Sequence, residues 1–316
     1  MTDLQPVNLS KRLLLISLVM LLVTGMLVWQ GCASRTTRLI AFDLKSGDAH
    51  LKKQVGIAYL RNQTSFGDPG LNTIFEQTLL SHLHEQGPTL LIKKAGDNNF
   101  PDEIIDPPLM ADGRIDNLAL ARAGRQIGLN AVIVCTLYDV HQDQASTGML
   151  WFKGSRSFIF VQLLVEVFDT LTAAKILDES YIREIELDKE RAEMVRNDLT
   201  LTTSAISQAM NKLIPDISED ISDVVLTKPW RGFIRATSGS KVFISSGRRV
   251  GVRKGDIFEV NKGGRVLEGA GGQRFFLPSE PYAKIQATTV FPEWSETVII
   301  EGDAINKDSY LRPVKK

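Results

Sequence analysis

The chain has 316 residues, with 37 Lys+Arg against 37 Asp+Glu, and is 43% apolar and 23% charged. That length accommodates two domains, and the balanced charge excludes a polycationic nucleic-acid binder and an acidic solvating chain. Two cysteines and four histidines are too few for a disulfide scaffold or a Cys- or His-rich metal centre.

Residues 1–12 are polar and end on Lys11-Arg12, and Leu13 to Val28 then run apolar without a charge. As a helix this run reaches about 24 Å, short of a bilayer core of about 30 Å and suited to the h-region of a signal peptide. Trp29-Gln30-Gly31-Cys32-Ala33 follows, with a small residue directly before a cysteine. It resembles a bacterial lipobox, although Trp29 stands where that pattern has Leu. The resemblance implies a lipoprotein signal peptide over 1–31 and lipidation at Cys32. It also implies a cell-envelope location, with Ala33 pointing to the outer membrane, facing the periplasm. An uncleaved membrane anchor and a soluble secreted protein stay open as alternatives; all three export 33–316. Residues 32–53 read as a tether that spans about 25 Å as coil, so the protein works close to its membrane.

Residues 54–214 read as a first domain. Val55 to Leu60 predicts a buried strand. Asp68-Pro69 marks a helix start, and Leu71, Ile74, Phe75, Leu79 and Leu83 recur at helical spacing up to Gly87-Pro88. Leu90 to Ile92 predicts a short strand, and Asp97 to Gly113 a loop. Asp116 caps a helix over Asn117–Ile127 that Gly128 closes. Three strands follow, Ala131–Val140, Ser157–Asp169 and Ala174–Ile185; the second is apolar on both faces except at Gln162 and Glu166, which predicts a central strand. A last helix aligns Val195, Leu199, Ile206, Met210 and Leu213. The order β-α-β-α-β-β-β-α predicts an α/β sandwich with a mixed sheet. Cys135, inside Ala131 to Leu137, reads as a small buried hydrophobe, with a reactive thiol as the alternative.

"VGIAYLRNQTSFGDPGLNTIFEQTLLSHL" and "GLNAVIVCTLYDV" resemble the CsgG/LpoB type of envelope lipoprotein domain. That class includes a curli-secretion channel subunit, an activator of a peptidoglycan synthase and the middle domain of a flagellar assembly protein. The channel subunit inserts two amphipathic hairpins. The matching stretches here, Gln142–Arg156 and Leu187–Asp198, carry polar Gln142 to Thr147 and charged Asp188 to Arg191. Neither supplies paired membrane strands of about 9–11 alternating residues, which argues against a pore. Met149, Leu150, Trp151 and Phe152 form an apolar tip that either packs on the sheet or meets a partner or membrane.

Residues 215–229, bounded by Pro215 and Pro229 and rich in Asp, Ser and Glu, read as a linker. Residues 230–313 predict five or six short strands, a small all-β barrel. "GRRVGVRKGDIFEV" and "PYAKIQATTVFPEWSETVIIEGDAI" resemble the C-terminal SH3-like barrel of flagellar assembly protein T (FlgT) and related envelope proteins. In the repeated Gly-Asp step before a strand, glycine permits a turn and Asp can bond nearby amides. Arg248, Arg249, Arg253 and Lys254 form a basic turn, read either as solvated charge or as a contact for an acidic partner or anionic polymer.

Other motifs are discounted. Ser238-Gly239-Ser240-Lys241 has acylating-serine spacing but sits at a turn. His82 and His84 diverge on a helix. Gly269 to Gly272 lacks the strand-to-helix context of a phosphate loop. Asp139, His141 and Asp143 alternate along one strand end as weak metal ligands, and Asn62-Gln63-Thr64 is a coincidental sequon. No catalytic residues, cofactor or metal are expected. The expected function is a non-enzymatic assembly or structural factor of a flagellar ring or secretion apparatus. Its partners would be envelope machine proteins and the membrane, not nucleic acid, with a homo-oligomeric ring as a further reading. The alternatives are a synthase activator and a curli-type channel subunit.

Overall fold

The computed structural model describes residues 50–65, 68, 70–147, 154–187 and 199–314, and these belong to one compact unit. In the first part β1 (Lys53–Ile57), β2 (Arg61–Asn62), α1 (Gly70–Glu85), β3 (Leu90–Lys93), α2 (Asp102–Ile105) and α3 (Asn117–Gln126) come in turn. The long strands β4 (Ala131–Thr147), β5 (Gly154–Asp169) and β6 (Lys175–Leu187), and helix α4 (Leu199–Leu226), complete it. The sheet order is β3-β1-β4-β5-β6, with β2 beside β4. β1 runs parallel to β3 and β4, whereas β4, β5 and β6 are antiparallel. This is the mixed-sheet α/β sandwich that the element order predicts.

Its helix signals act locally as read. Gly70 N donates to Asp68 Oδ1 at 2.7 Å. The Thr203 hydroxyl and then the Gly70 amide hold the Asp68 carboxyl below its usual range. Asp116 Oδ1 accepts from Leu118 N and Ala119 N at 3.1 and 3.0 Å, satisfying two donors the helix leaves free. Leu71, Phe75, Leu79 and Leu83 of α1 and Ile206, Met210 and Leu213 of α4 share one core with Cys135, Val161, Leu163 and Val165. The opposite sheet face is covered near β1 by α2 and α3, through Ile104, Leu120 and Ala123 over Val132, Val134 and Phe168. The Asp97–Gly113 loop therefore contains a one-turn helix, too short to show a period, that buries Ile104.

Four expectations need correction. Residues 215–226 are not linker but the second half of α4, with Pro215 inside the helix. Ile214, Ile217, Ile221 and Val225 are all buried, and four such side chains at about 1.5–3 kcal/mol each outweigh the ~3 kcal/mol cost of an internal proline. Pro215 itself is exposed. Pro215→Ala is therefore expected to raise stability by about 1–2 kcal/mol, read as a higher urea midpoint. Second, the tether does not extend to residue 53. Leu51 sits in the barrel core and Lys53 is buried in β1. Third, β5 is the central strand expected, between β4 and β6, but its faces are unequally covered: Ile159, Val161, Leu163, Val165 and Val167 are all buried, whereas on the other face Glu166 and Phe168 are buried and Phe158, Phe160 and Leu164 only half-buried. Fourth, Gln142 to Thr147 continues β4, pairing as far as Thr147 with Gly154.

The second part opens with β7 (Gly232–Ser238), β8 (Lys241–Ile244) and β9 (Ile257–Asn261). An arm of β10 (Val266–Glu268) and β11 (Arg274–Phe276) stands outside the barrel. β12 (Pro281–Val290), β13 (Ser295–Gly302) and β14 (Tyr310–Pro313) then close a six-stranded barrel in the order β12-β13-β8-β7-β14-β9. Alternate residues point inward, such as Ala283, Ile285 and Ala287 of β12, around Trp230, whose ring lies 5.7 Å from Phe258. The last strand does not directly follow Gly302-Asp303. Ile305 is buried within a loop, and pairing resumes at Tyr310.

The arm docks on the sandwich. Arg274 pairs with Asp116 at 2.9 Å, Asn117 Nδ2 donates to Arg274 O at 2.7 Å, and Phe276 N donates to Thr172 O at 2.9 Å. Asn130 Nδ2 donates to Arg231 O at 2.7 Å, fixing the barrel entry to the start of β4.

Candidate partner-binding site

The strand stem that leads to residues 149–152 is long and only partly covered. Cys32, Met149, Leu150, Trp151 and Phe152 lie outside the described residues. The pairing register places Asp139, His141 and Asp143 beside Gln162, Phe160 and Phe158, and these beside Ile182, Glu184 and Glu186. Successive strand residues alternate faces, so this row shares the sheet face that α1 and α4 do not cover. His141 stacks on Phe160 with centroids 5.0 Å apart and bonds Asp139 at 2.7 Å. Ile182 is 60% and Tyr138 54% exposed. The result is an apolar strip with an acidic rim. Gln142, Asp143 and Gln144 make the end of β4 polar on successive residues, so no lipid-facing band forms there.

Nearer β1 the same face sinks into a trough of about 470 Å³. Thr136, Leu164, Glu166 and Phe168 form its floor, with Arg61 and the arm residue Phe275 at its walls. Lys175 Nζ lies 2.5 Å from the buried Glu166 carboxylate. Burial opposes charge on Lys175, but hydrogen bonds and charge from Glu166 and Asp178 outweigh it and raise its pKa. Thr136 Oγ1 is buried without a hydrogen-bond partner among the described residues. Sequence reasoning missed this trough. Its only signal was Gln162 and Glu166 interrupting an apolar run, since the arm that walls it arrives from more than a hundred residues away.

The basic turn has a structural half and an exposed half. Arg248 N and Arg249 N donate to Phe291 O and Pro292 O at 2.8 and 3.1 Å. Lys52 N donates to Val250 O at 2.7 Å, so the turn grips the incoming chain. Asp256 Oδ2 accepts from Arg253 N at 2.8 Å and lies 3.3 Å from His50 Nε2. Gly251 and Gly255 have φ of 105° and 92°. The Gly-Val-x-x-Gly-Asp step is thus a clamp. The Arg249 guanidinium pairs with Glu293 at 2.6 Å, and Glu293 is 3.5 Å from Lys93. Arg248, Arg253 and Lys254 are exposed.

Ser238 and Lys241 flank the β7–β8 turn at Gly239, with φ 59°. Among the described residues no group of three His, Cys, Asp or Glu could hold a metal ion. Cys135 is buried, and burial pushes its thiol well above the usual range, where it is a poor nucleophile.

No family model and no curated protein matches the chain. Among solved structures, it is similar to a hypothetical protein of Chlamydia trachomatis at 14% identity and TM-score 0.36, over 56% of this chain and 99% of that one. It is also similar to a protein of Xanthomonas campestris at 7% identity and TM-score 0.34, over 55% and 86%. A lipoprotein of Neisseria meningitidis is similar at 11% identity and TM-score 0.31, over 54% and 99%.

Proposed function

We propose that this chain is a lipid-anchored envelope protein, held at the outer membrane through Cys32, that works without catalysis as an assembly or structural factor of a surface machine. A flagellar basal-body ring or a secretion apparatus fits best, given the FlgT-like motifs of the barrel. The observation that carries the reading is the face of the β4–β5–β6 stem that α1 and α4 do not cover. Tyr138, Phe158, Phe160, Leu164 and Ile182 there form an apolar strip of the kind that marks protein contacts. The exposed cations of the basic turn, Arg248, Arg253 and Lys254, offer a second contact for an acidic partner.

The test is affinity purification of tagged chain from crosslinked native envelopes, followed by mass spectrometry. Flagellar or secretion-ring subunits are expected. They should fall about tenfold in a Tyr138→Asp, Ile182→Asp chain, whose changes fall at exposed positions where folding stability shifts by only about 0.5 kcal/mol. Arg248→Asp with Arg249→Asp tests the turn in the same assay; undiminished recovery would remove the turn from the interface. Recovery of peptidoglycan synthases without ring subunits would favour the activator reading. The bait alone as a large homo-oligomer would favour a channel or a self-assembled ring.

A further inference from the structure

A second cavity, of about 490 Å³, opens between α3 and the barrel. Arg122, Arg125, Arg235 and Lys307 line it, and Asp308 is the only carboxylate among its described lining residues. That leaves three positive charges in one cleft of a chain whose total charge is zero. The imbalance has no counterpart in the packing. Arg122, Arg235 and Lys307 are exposed and make no ion pair among the described residues. Like charges gathered this way repel, and a low-dielectric cleft focuses their field on whatever enters.

Arg125 is the fixed member of the set. Its Nε donates to Thr170 O at 2.7 Å and its Nη2 to Leu171 O. Its guanidinium lies 3.6 Å from the centroid of Phe276 and 5.5 Å from that of Phe233. Both ring contacts come from the barrel part, so the arm and β7 orient it. Burial lowers its pKa to about 10, against attraction from Asp169 and Asp308 and with repulsion from Arg122. It stays protonated at neutral pH. Two of its three nitrogens are used by carbonyls, and Nη1 has no hydrogen-bond partner among the described residues. Arg122 lies one helical turn before it on α3, on the same face, with its guanidinium 5.9 Å from the Phe276 ring.

Planar guanidinium forks match phosphate oxygens in pairs, and the volume is that of a small-molecule site. From these observations we infer that the cleft between α3 and the barrel binds a ligand carrying two or more phosphate groups. Arg125 is its preset donor, and Arg122, Arg235 and Lys307 supply the remaining charge. The same chemistry is offered by a soluble oligophosphate and by a bis-phosphorylated lipid headgroup.

The full chain in detergent would be titrated calorimetrically with tripolyphosphate. It would separately be titrated with micelles doped with cardiolipin or, as control, phosphatidylcholine. The Arg122→Ser, Arg235→Ser chain is run in parallel, with Lys307→Ser as a second variant should the first unfold. Tripolyphosphate binding that weakens about tenfold in the variant, and declines steeply with salt, supports a soluble source. Binding confined to cardiolipin micelles and weakened in the same variant supports the headgroup. No binding to either probe, or binding that the variants leave unchanged, overturns the proposal.

Discussion

A Lys53→Met chain is expected to lose about 2–4 kcal/mol of stability, read as a lower urea midpoint at an unchanged slope. The reason lies at the end of α4. A helix leaves its last four carbonyls without internal partners, and they carry partial negative charge. α4 has no basic residue in its own last turn. The cation comes instead from β1: Lys53 Nζ donates to the carbonyls of Val225 at 2.9 Å, Leu226 at 2.8 Å and Lys228. Lys53 is only 8% exposed, so water cannot replace a lost donor. Methionine preserves the length and apolar stem of the side chain, so the loss falls on the polar contacts of the ammonium. Removing a desolvated ammonium returns part of the loss, so the net loss is smaller than three charged hydrogen bonds would suggest.

Lys53 also marks where the sequence was opaque. Its fold class was readable because the pattern signals were local. Asp68 and Asp116 announced their helices, Gly87 and Gly128 ended them, and Cys135 lay in a run of buried-strand residues. The second half of α4 was readable in principle. Ile214, Ile217, Ile221 and Val225 keep helical spacing, but Pro215, Pro229 and the acidic residues on the solvent side suggested a linker by composition. The half-buried face of β5 was not readable. Phe158, Phe160 and Leu164 look the same in sequence as buried residues, and what distinguishes them is that they lie on the face away from α1 and α4. The candidate sites depend still more on distant chain. Arg125 is aligned by Phe233 and Phe276, and the trough is closed by Phe275. No window of sequence contains such pairings. The basic turn was found as a charge cluster, yet its backbone proves to grip Lys52, a residue assigned to the tether.

Gly128→Ala is expected to cost about 4 kcal/mol, with the same loss seen by far-ultraviolet circular dichroism and by tryptophan fluorescence. Gly128 has φ 80°, a conformation that costs a residue with a Cβ about 1–2 kcal/mol. The remainder comes from the junction with the barrel. A Cβ at this position would lie 2.2 Å from the Ser245 carbonyl oxygen and 3.0 Å from Gln54 Nε2. The Ser245 backbone cannot easily retreat, because its N–H donates to Phe233 O at 3.0 Å. Gln54 Nε2 in turn donates to Gly128 O at 3.1 Å and Ser245 O at 3.4 Å, so moving either partner breaks a buried bond. Overpacking of this kind adds about 1–3 kcal/mol. Gly113→Ala separates the two contributions. Its φ is 83°, close to that of Gly128, but nothing lies within 4 Å of the added Cβ, so it should show the backbone cost alone. The excess at Gly128 then measures how firmly sheet and barrel are joined. An equal loss at both positions would mean that the barrel yields at this contact.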